Sequence, residues 1–499
     1  LLVTPQGLVE HPTPRPYPFG PWSVAEILDE GLTSHPDRVA LVDGTRTWTW
    51  RSLDEAVRSV AGGIQSGEQI WWALGNCAES VIGALATWRA GAVWIGAPPH
   101  HARSMHSQLE DRVGQTTLVD DVARLPHGSA DHRPTDPHAV AAISFTSGTT
   151  GRSKAVAHSQ HNLLWPGLIS SDLEPPGDGE RIGTPLSLSI ANILILGPLS
   201  ALLRGSAFVV MANTHAEGFS ADISRQLVTR TFVVPTMLHD LVNDESIDVA
   251  SLASLDRMIV GGSGAPPELL AAFTSRFGLR PTLSYGLSEA PTGIVRESLD
   301  DPIGSGRGFP LPLLDLKIVD LEGAPVSVGT SGEICLQPAA NGPWAGTWTP
   351  TLGYLGEPER TAELFRGGLL HTGDVGHVDS EGGLSVTGRL SNLIVRGGMN
   401  VDPTAVEKAL TDDPSVAEAV VVGVLDERLG QSVGAVIVAE DGQIVDRARL
   451  RESVRQTVSS HAVPDVIIVA PRLARTEMGK LVRHLPAELF VDGDANTDD

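Results

Sequence analysis

From residue 36 onward, short apolar runs alternate with stretches whose apolar positions recur at helical spacing. Residues 36–53, PDRVALVDGTRTWTWRSL, read as two strands around an Asp43-Gly44 turn, followed by a helix over 56–64. A strand over 68–74, a helix over 80–89, a strand through AGAVWIGAP at 90–98 and a helix over 103–111 continue the alternation. A linker rich in His, Asp and Pro at 126–137 precedes a further apolar run at 140–145. A second alternating region then has a helix over 161–170, strands over 204–211, 230–234, 257–260 and 282–284, and a helix opened by Pro267. Alternation of this kind builds largely parallel sheets flanked by helices.

Between residues 301 and 388 the pattern changes to short strands, such as 316–319, 332–336 and 384–387, with no long helix, which predicts a small β-barrel. Past residue 389 a helix over 404–410, strands over 416–424 and 432–438, a helix over 446–459 and a strand over 466–469 form a smaller module. The predicted fold class is α/β. A large N-terminal domain, 1–388, holds two doubly wound α/β subdomains plus the β-barrel at about 301–388, and a smaller α+β domain occupies 393–499.

Composition narrows the function. With 499 residues, 41% hydrophobic and 19% charged, the chain has the balance of a multidomain globular protein. A formal net charge of -24 argues against broad nucleic-acid or anionic-membrane binding. An anionic ligand would need a local reversal of that field, by donors, cationic side chains or a divalent metal ion. The two cysteines, Cys77 and Cys335, have no metal-ligand spacing and read as thiols of a reducing, cytoplasmic compartment, and no secretory signal is seen at the start. The uncharged stretch 184–203 contains Ser187, Ser189, Asn192 and Pro198, so a buried helix is expected there and not a membrane span. His100, His101, His158 and His161 lack a supporting carboxylate or cysteine pattern and read as surface or loop residues.

The most informative segment is SFTSGTTGRSKAV at 144–156. After the apolar run, Thr146, Ser147, Gly148, Thr149, Thr150 and Gly151 leave little side-chain bulk, so backbone N–H groups and hydroxyls can converge on an anion while Lys154 adds a positive charge. No Gly-Lys-Ser/Thr follows at the spacing of a Walker A motif. Further on, Gly262, Ser263 and Gly264 allow close approach of a flat ring. In YGLSEAP, Tyr285 and Gly286 offer an aromatic face beside bare backbone, Ser288 a hydroxyl and Glu289 a carboxylate suited to magnesium.

These landmarks, with HTGDVGHVDSEGGLSVTGRLSNLIVRGGMN at 371–400 and ARTEMGKLVR at 474–483, resemble the adenylate-forming superfamily in order and spacing. The similarity runs from about Pro36 to Arg483, and the acyl-CoA synthetase branch fits best. The resemblance implies activation of a carboxylic acid with ATP and Mg2+ to an acyl-AMP, then transfer to a thiol. It implies that Glu289 holds the metal ion, that Asp374 takes the ribose hydroxyls and Arg389 lies beside ribose and phosphate. It further makes Lys480 the catalytic lysine and places Gly397 and Gly398 along the thiol channel. It makes residues 389–392 a hinge, centred on Ser391, about which a mobile C-terminal domain reorients between the two steps.

Several positions depart from the family pattern. Ser391 and Asn392 stand where Asp or Lys followed by Asp is usual, Ser153 and Ala155 replace Pro and Gly, and Leu188 occupies the place of a frequent histidine. No acidic side chain lies between Arg181 and Arg204 to meet an α-ammonium group, so an amino acid substrate is disfavoured. The expected lining, Leu186, Ile190, Ile193, Gly262 to Gly264 and Leu287, suits an aliphatic, aromatic or polycyclic acid. Coenzyme A is the expected acceptor, since GGMNVDP resembles the acyl-CoA synthetase form of that turn and no carrier domain fits after Lys480. A separate acyl carrier protein as acceptor, a non-catalytic ATP- and acyl-binding role, and a luciferase-like oxygenase remain alternatives.

Overall fold

The computed structural model describes residues 2–96, 116–124, 126–128, 133–134, 136–146, 154–213, 215–397, 399–426 and 428–473. The chain divides into two compact units, Leu1–Lys317 with Cys335–Thr372, and Ile318–Ile334 with Gly373–Asp499. The α/β class predicted from the alternation holds.

In the first unit, one sheet runs Thr117–Val119, Gln69–Trp72, Val93–Gly96, Val140–Thr146, Lys154–Ser159 and Gly353–Tyr354, parallel up to Val140–Thr146 and antiparallel beyond it. Its central residues Trp71, Ile95, Ile143 and Ala155 are buried on a common core. The helix Trp50–Ala61, which packs on the helix Ala78–Arg89, starts six residues before its expected position at 56. Thr49 accepts from the Ser52 N–H while the Ser52 hydroxyl accepts from the Thr49 N–H, a reciprocal cap that satisfies two orphan donors.

The second sheet of this unit orders its strands Arg46–Thr49, Val39–Asp43, Ala207–Val210, Arg181–Thr184, Arg230–Val233, Arg257–Val260, Thr282–Leu287, Thr292–Glu297 and Arg307–Pro310. From Val39–Asp43 to Thr282–Leu287 the neighbours are parallel. Helices Ala216–Gln226, Pro235–Asn243 and Pro267–Phe277 bury Phe219, Leu238, Leu241, Leu270 and Phe273 against it. The amino-terminal edge is closed by ion pairs, in which Glu174 receives Arg230 and Arg257 at 2.6 Å and Arg296 at 2.8 Å. The carboxyl edge, where open α/β sheets take their ligands, carries the loops that follow Thr184, Val233, Val260 and Leu287.

The uncharged stretch 184–203 is largely buried, with Ile190 exposed, but not as one helix. Ala191–Leu194 and Ser200–Leu203 flank a π-helical turn, Ile195–Leu199, that accommodates Pro198 where an α-helix would need its missing N–H. No helix among the described residues is long and apolar enough to cross a membrane.

In the second unit, strands Met399–Val401, Ile394–Arg396, Gly430–Ala439 and Val416–Asp426 form a sheet, with Val466–Val469 pairing parallel to Gly430–Ala439. Helices Pro403–Thr411 and Arg447–Thr457 begin at side-chain caps from Asp402 and Asp446 and bury Val406, Leu410, Leu450 and Val454.

Candidate active site

The strand Val140–Thr146 and the strand Lys154–Ser159 form an antiparallel pair in which Thr146 and Lys154 are register partners. The two ends of the hydroxyl- and glycine-rich segment are therefore held side by side. Ser147, Gly148, Thr149, Thr150 and Gly151 lie outside the described residues, as do Gly398 and Lys480.

At those ends, Lys154 Nζ donates to the Tyr354 hydroxyl at 3.2 Å and sits 4.6 Å from the centre of its ring. The Tyr354 hydroxyl in turn donates to Glu289 Oε1 at 2.7 Å. Burial, reinforced by the Glu289 charge, pushes the phenol well above its ordinary range, so it remains a proton donor. Among the described residues Glu289 Oε2 makes no hydrogen bond, which leaves one carboxylate oxygen for a cation. Cation, phenol and carboxylate thus form a continuous row. Tyr354 was not among the residues singled out from sequence, although the chain has only three tyrosines and this one follows a glycine. It arrives because Tyr354 pairs with Val156, one strand beyond the hairpin.

The strand Thr282–Leu287 carries Tyr285, partly buried and opposite Val295, and Gly286, where a Cβ would lie 1.9 Å from the Thr292 carbonyl oxygen. Glycine is required there. Thr292 itself adopts φ 80, a β-branched residue in the left-handed region that costs about 1–3 kcal/mol and marks this turn as strained. Ser288 Oγ meets Asn192 Nδ2 at 3.4 Å. On the neighbouring strand's loop, Gly262, Ser263 and Gly264 are exposed, with Gly262 at φ +86 and open space where a Gly264 side chain would stand. All of these follow adjacent parallel strands at one edge.

The loop after Thr184 is fixed by Asn76. Its Nδ2 donates to Leu186 O at 3.0 Å and Met211 O at 2.9 Å, while its Oδ1 accepts from the Leu188 N–H at 2.9 Å. Leu188 is buried, and Ser187 and Ser189 bond each other at 2.7 Å.

In the second unit, Asp374 and Arg389 are cross-strand partners of the hairpin Leu370–Val378 and Leu384–Arg389. Arg389 Nε meets Asp374 Oδ1 at 2.7 Å, with the carboxylate buried and the guanidinium more than half exposed. The turn Leu390–Asn392 follows, with Ser391 exposed. Gly397 takes φ +58 and its N–H donates to Leu429 O at 2.8 Å.

Two of the histidines expected at the surface are buried instead. His161 packs flat on Tyr17 at 4.2 Å, its ring nitrogens facing Trp22 O and Thr347 O. His158 lies in the strand Lys154–Ser159, its Nδ1 without a hydrogen bond among the described residues. Burial pushes its pKa down to about 3. Because this lies below the unfolded value of 6.5, the unfolded chain binds the proton first as pH falls. Stability is then lost from about pH 6.5 toward pH 3, at about 1.4 kcal/mol per pH unit. A His158→Gln variant is expected to show a shallower slope of unfolding free energy against pH, by about one proton between pH 6 and 4. Equal slopes in urea titrations of the two proteins would refute the neutral assignment.

A family model described as AMP-binding enzyme matches residues 28–119 and 99–341, and one described as AMP-binding enzyme C-terminal domain matches residues 405–480. A feruloyl-CoA synthase from Amycolatopsis sp is 29% identical over 497 residues, covering 92% of this chain and 98% of that protein. An indoleacetate--CoA ligase from Aromatoleum aromaticum is 32% identical over 359 residues, covering 71% and 68% respectively. Among solved structures, the o-succinylbenzoate CoA synthetase from Bacillus subtilis in complex with its acyl-adenylate intermediate superposes with a TM-score of 0.78, at 26% identity over 92% of this chain and 97% of that one. ATP-bound MatB from Rhodopseudomonas palustris gives a TM-score of 0.78 at 23% identity over 92% of this chain and 97% of that one, a likeness of fold.

Proposed function

This chain belongs to the AMP-binding enzymes, in the acyl-CoA ligase branch of the adenylate-forming superfamily, and from that premise we propose that it joins a non-amino-acid carboxylic acid to coenzyme A through an acyl-AMP. An aliphatic, aromatic or polycyclic acid fits the lining around Leu186, Ile190, Ile193 and Leu287. The observation that carries this reading is the Lys154–Tyr354–Glu289 row, at the hairpin that opens into the phosphate loop. On a molecule of net charge -24, a polyphosphate needs that local cation and a carboxylate with an open oxygen.

In the first step a substrate carboxylate oxygen bonds to the α-phosphorus of ATP and pyrophosphate leaves. The nucleophile is already ionised, so no general base is needed. Attack sets like charges against each other, and the proposed roles answer that repulsion: loop amides from Thr146 to Gly151 and the Lys154 and Lys480 ammonium groups face developing phosphate charge. Glu289 fits magnesium, which favours oxygen ligands and keeps places for phosphate and water; when bound, the ion neutralises charge across the phosphates. Tyr354 holds Glu289 in one orientation. Asp374 would accept the two ribose hydroxyls and Arg389, already on its carboxylate, would face the sugar-phosphate side. In the second step the thiol loses its proton to solvent, its sulfur bonds to the acyl carbon as the bond from that carbon to the phosphate oxygen breaks, and AMP departs, with Gly397 and Gly398 proposed along the thiol arm, 389–392 as the proposed hinge and 393–499 as the proposed mobile cap. A cytoplasmic setting agrees with Cys77 and Cys335, neither of which forms a disulfide among the described residues.

Incubation with ATP, magnesium and a panel of acids, with and without coenzyme A, tests the proposal. Pyrophosphate with every reactive acid, and thioester only when coenzyme A is present, is the expected result. Pyrophosphate without thioester would redirect the acceptor to a carrier protein, and ATP binding with no turnover would leave a non-catalytic relative.

A further inference from the structure

Asn192 carries an amide that the protein satisfies only in part. Its Nδ2 lies 3.4 Å from Ser288 Oγ, whereas Oδ1 is sealed from solvent and has no hydrogen-bond partner among the described residues. A buried acceptor left unpaired costs about 1–3 kcal/mol, so one that persists beside a binding site is accounted for by a ligand that brings the donor. The described surroundings offer none. Ser187 and Ser189 spend their hydroxyls on each other, Asn76 is committed to the backbone of 186, 188 and 211, and Ile190, Ile193 and Leu287 are apolar.

The location fixes where on the ligand the donor must be. Ser288 immediately precedes Glu289, the carboxylate of the Lys154–Tyr354–Glu289 row, so its hydroxyl marks the junction of phosphate and acyl group in the proposed reaction. Asn192 Nδ2 is in hydrogen-bond reach of that hydroxyl, so in the proposed reaction a donor that meets the same amide's Oδ1 would belong to the first atoms of the acyl group and not to its far end. The donor must also be neutral: no carboxylate lies between residues 181 and 204, and a lone amide oxygen does not offset the desolvation of an ammonium ion.

Resting on the acyl-CoA ligase reading, we infer that Asn192 selects acids bearing a neutral O–H or N–H donor close to the carboxyl group, ortho on an aromatic ring or on the 2-position of an aliphatic chain. The acyl chemistry itself is unchanged; the added hydrogen bond forms on binding and is held in both half-reactions. An upstream hydroxylation or amination next to the carboxyl group is the class of reaction that would supply such a substrate.

The experiment measures pyrophosphate release for matched triplets: benzoate, 2-hydroxybenzoate and 2-methoxybenzoate, and hexanoate, 2-hydroxyhexanoate and 2-methoxyhexanoate, with 2-aminobenzoate and 4-hydroxybenzoate as positional controls. The donor-bearing acid is expected to exceed its unsubstituted and methyl-ether partners by about 10- to 100-fold in kcat/KM in at least one series. In Asn192→Leu that ratio should fall toward one. Equal turnover across each triplet, or a preference that survives in Asn192→Leu, overturns the inference while leaving the ligase reading in place. A methyl ether preferred over the hydroxy acid also overturns it, since that result would mean the amide presents N–H to the ligand. Pyrophosphate from no acid at all would overturn both. Should the leucine variant not fold, Asn192→Ser and the ratios of the native protein decide the matter.

Discussion

Lys480→Ala is expected to slow acyl-AMP formation by about 100- to 1,000-fold, while thioester formation from preformed acyl-AMP and coenzyme A changes only a few-fold. The two half-reactions make different electrostatic demands. In the first, an anionic carboxylate approaches an anionic phosphate, and an ammonium group touching both oxygens is worth most as the bond forms. In the second, a thiolate meets an acyl carbonyl and the leaving AMP carries its charge away from the sulfur. A long flexible lysine next to Gly479, in the sequence TEMGKLVR, suits a contact needed in one step and withdrawn in the other. Pyrophosphate release and thioester appearance, measured separately, check it. A parallel loss of both steps would mean that Lys480 supports the domain rather than the chemistry, and Lys480→Arg, which keeps the charge but not its point geometry, should recover only part of the first.

What the sequence shows of this molecule and what it hides divide along the range of the interactions. The strand Arg257–Val260 is legible to the residue because an apolar run ends in glycines, and the helix Pro267–Phe277 because proline sets its start. The helix over 161–170 was displaced, beginning at Trp165, since Ser159 and Asn162 exchange side-chain to backbone hydrogen bonds across the preceding turn. Alternating Thr and Trp at 47–50 reads as strand, which hid the cap at Thr49. In the site, Gly262 and Gly286 are legible because each answers a local backbone requirement, Gly262 with φ +86 and Gly286 under the Thr292 carbonyl. Tyr354 is not, lying 200 residues from Lys154 and 65 from Glu289, and neither is the meeting of Asn192 with Ser288, 96 residues apart. Those contacts depend on which strand sits beside which, and that is a property of the assembled sheets.

The row built on Tyr354 makes the second large effect testable through Glu289. Glu289→Ala is expected to lower kcat/KM for acyl-AMP formation by about 100- to 1,000-fold and to raise the magnesium concentration needed for half-maximal rate. It should also lower stability by about 1–3 kcal/mol, because the partly buried Tyr354 hydroxyl, now at 2.7 Å from Oε1, loses its acceptor. Glu289→Gln separates the two consequences. A carboxamide oxygen still accepts from Tyr354, so thermal stability should stay near that of the native protein, whereas the charge that a divalent cation requires is gone and the catalytic loss should persist. Lys154 then sharpens the contrast, for without the Glu289 charge the row becomes net cationic and ATP alone should bind at least as tightly as before. Magnesium titrations of rate, thermal melts and ATP affinity on the two variants read these effects independently. Native activity of Glu289→Gln at limiting magnesium would rule out the proposed magnesium role of the carboxylate and leave it as a partner of Tyr354 only.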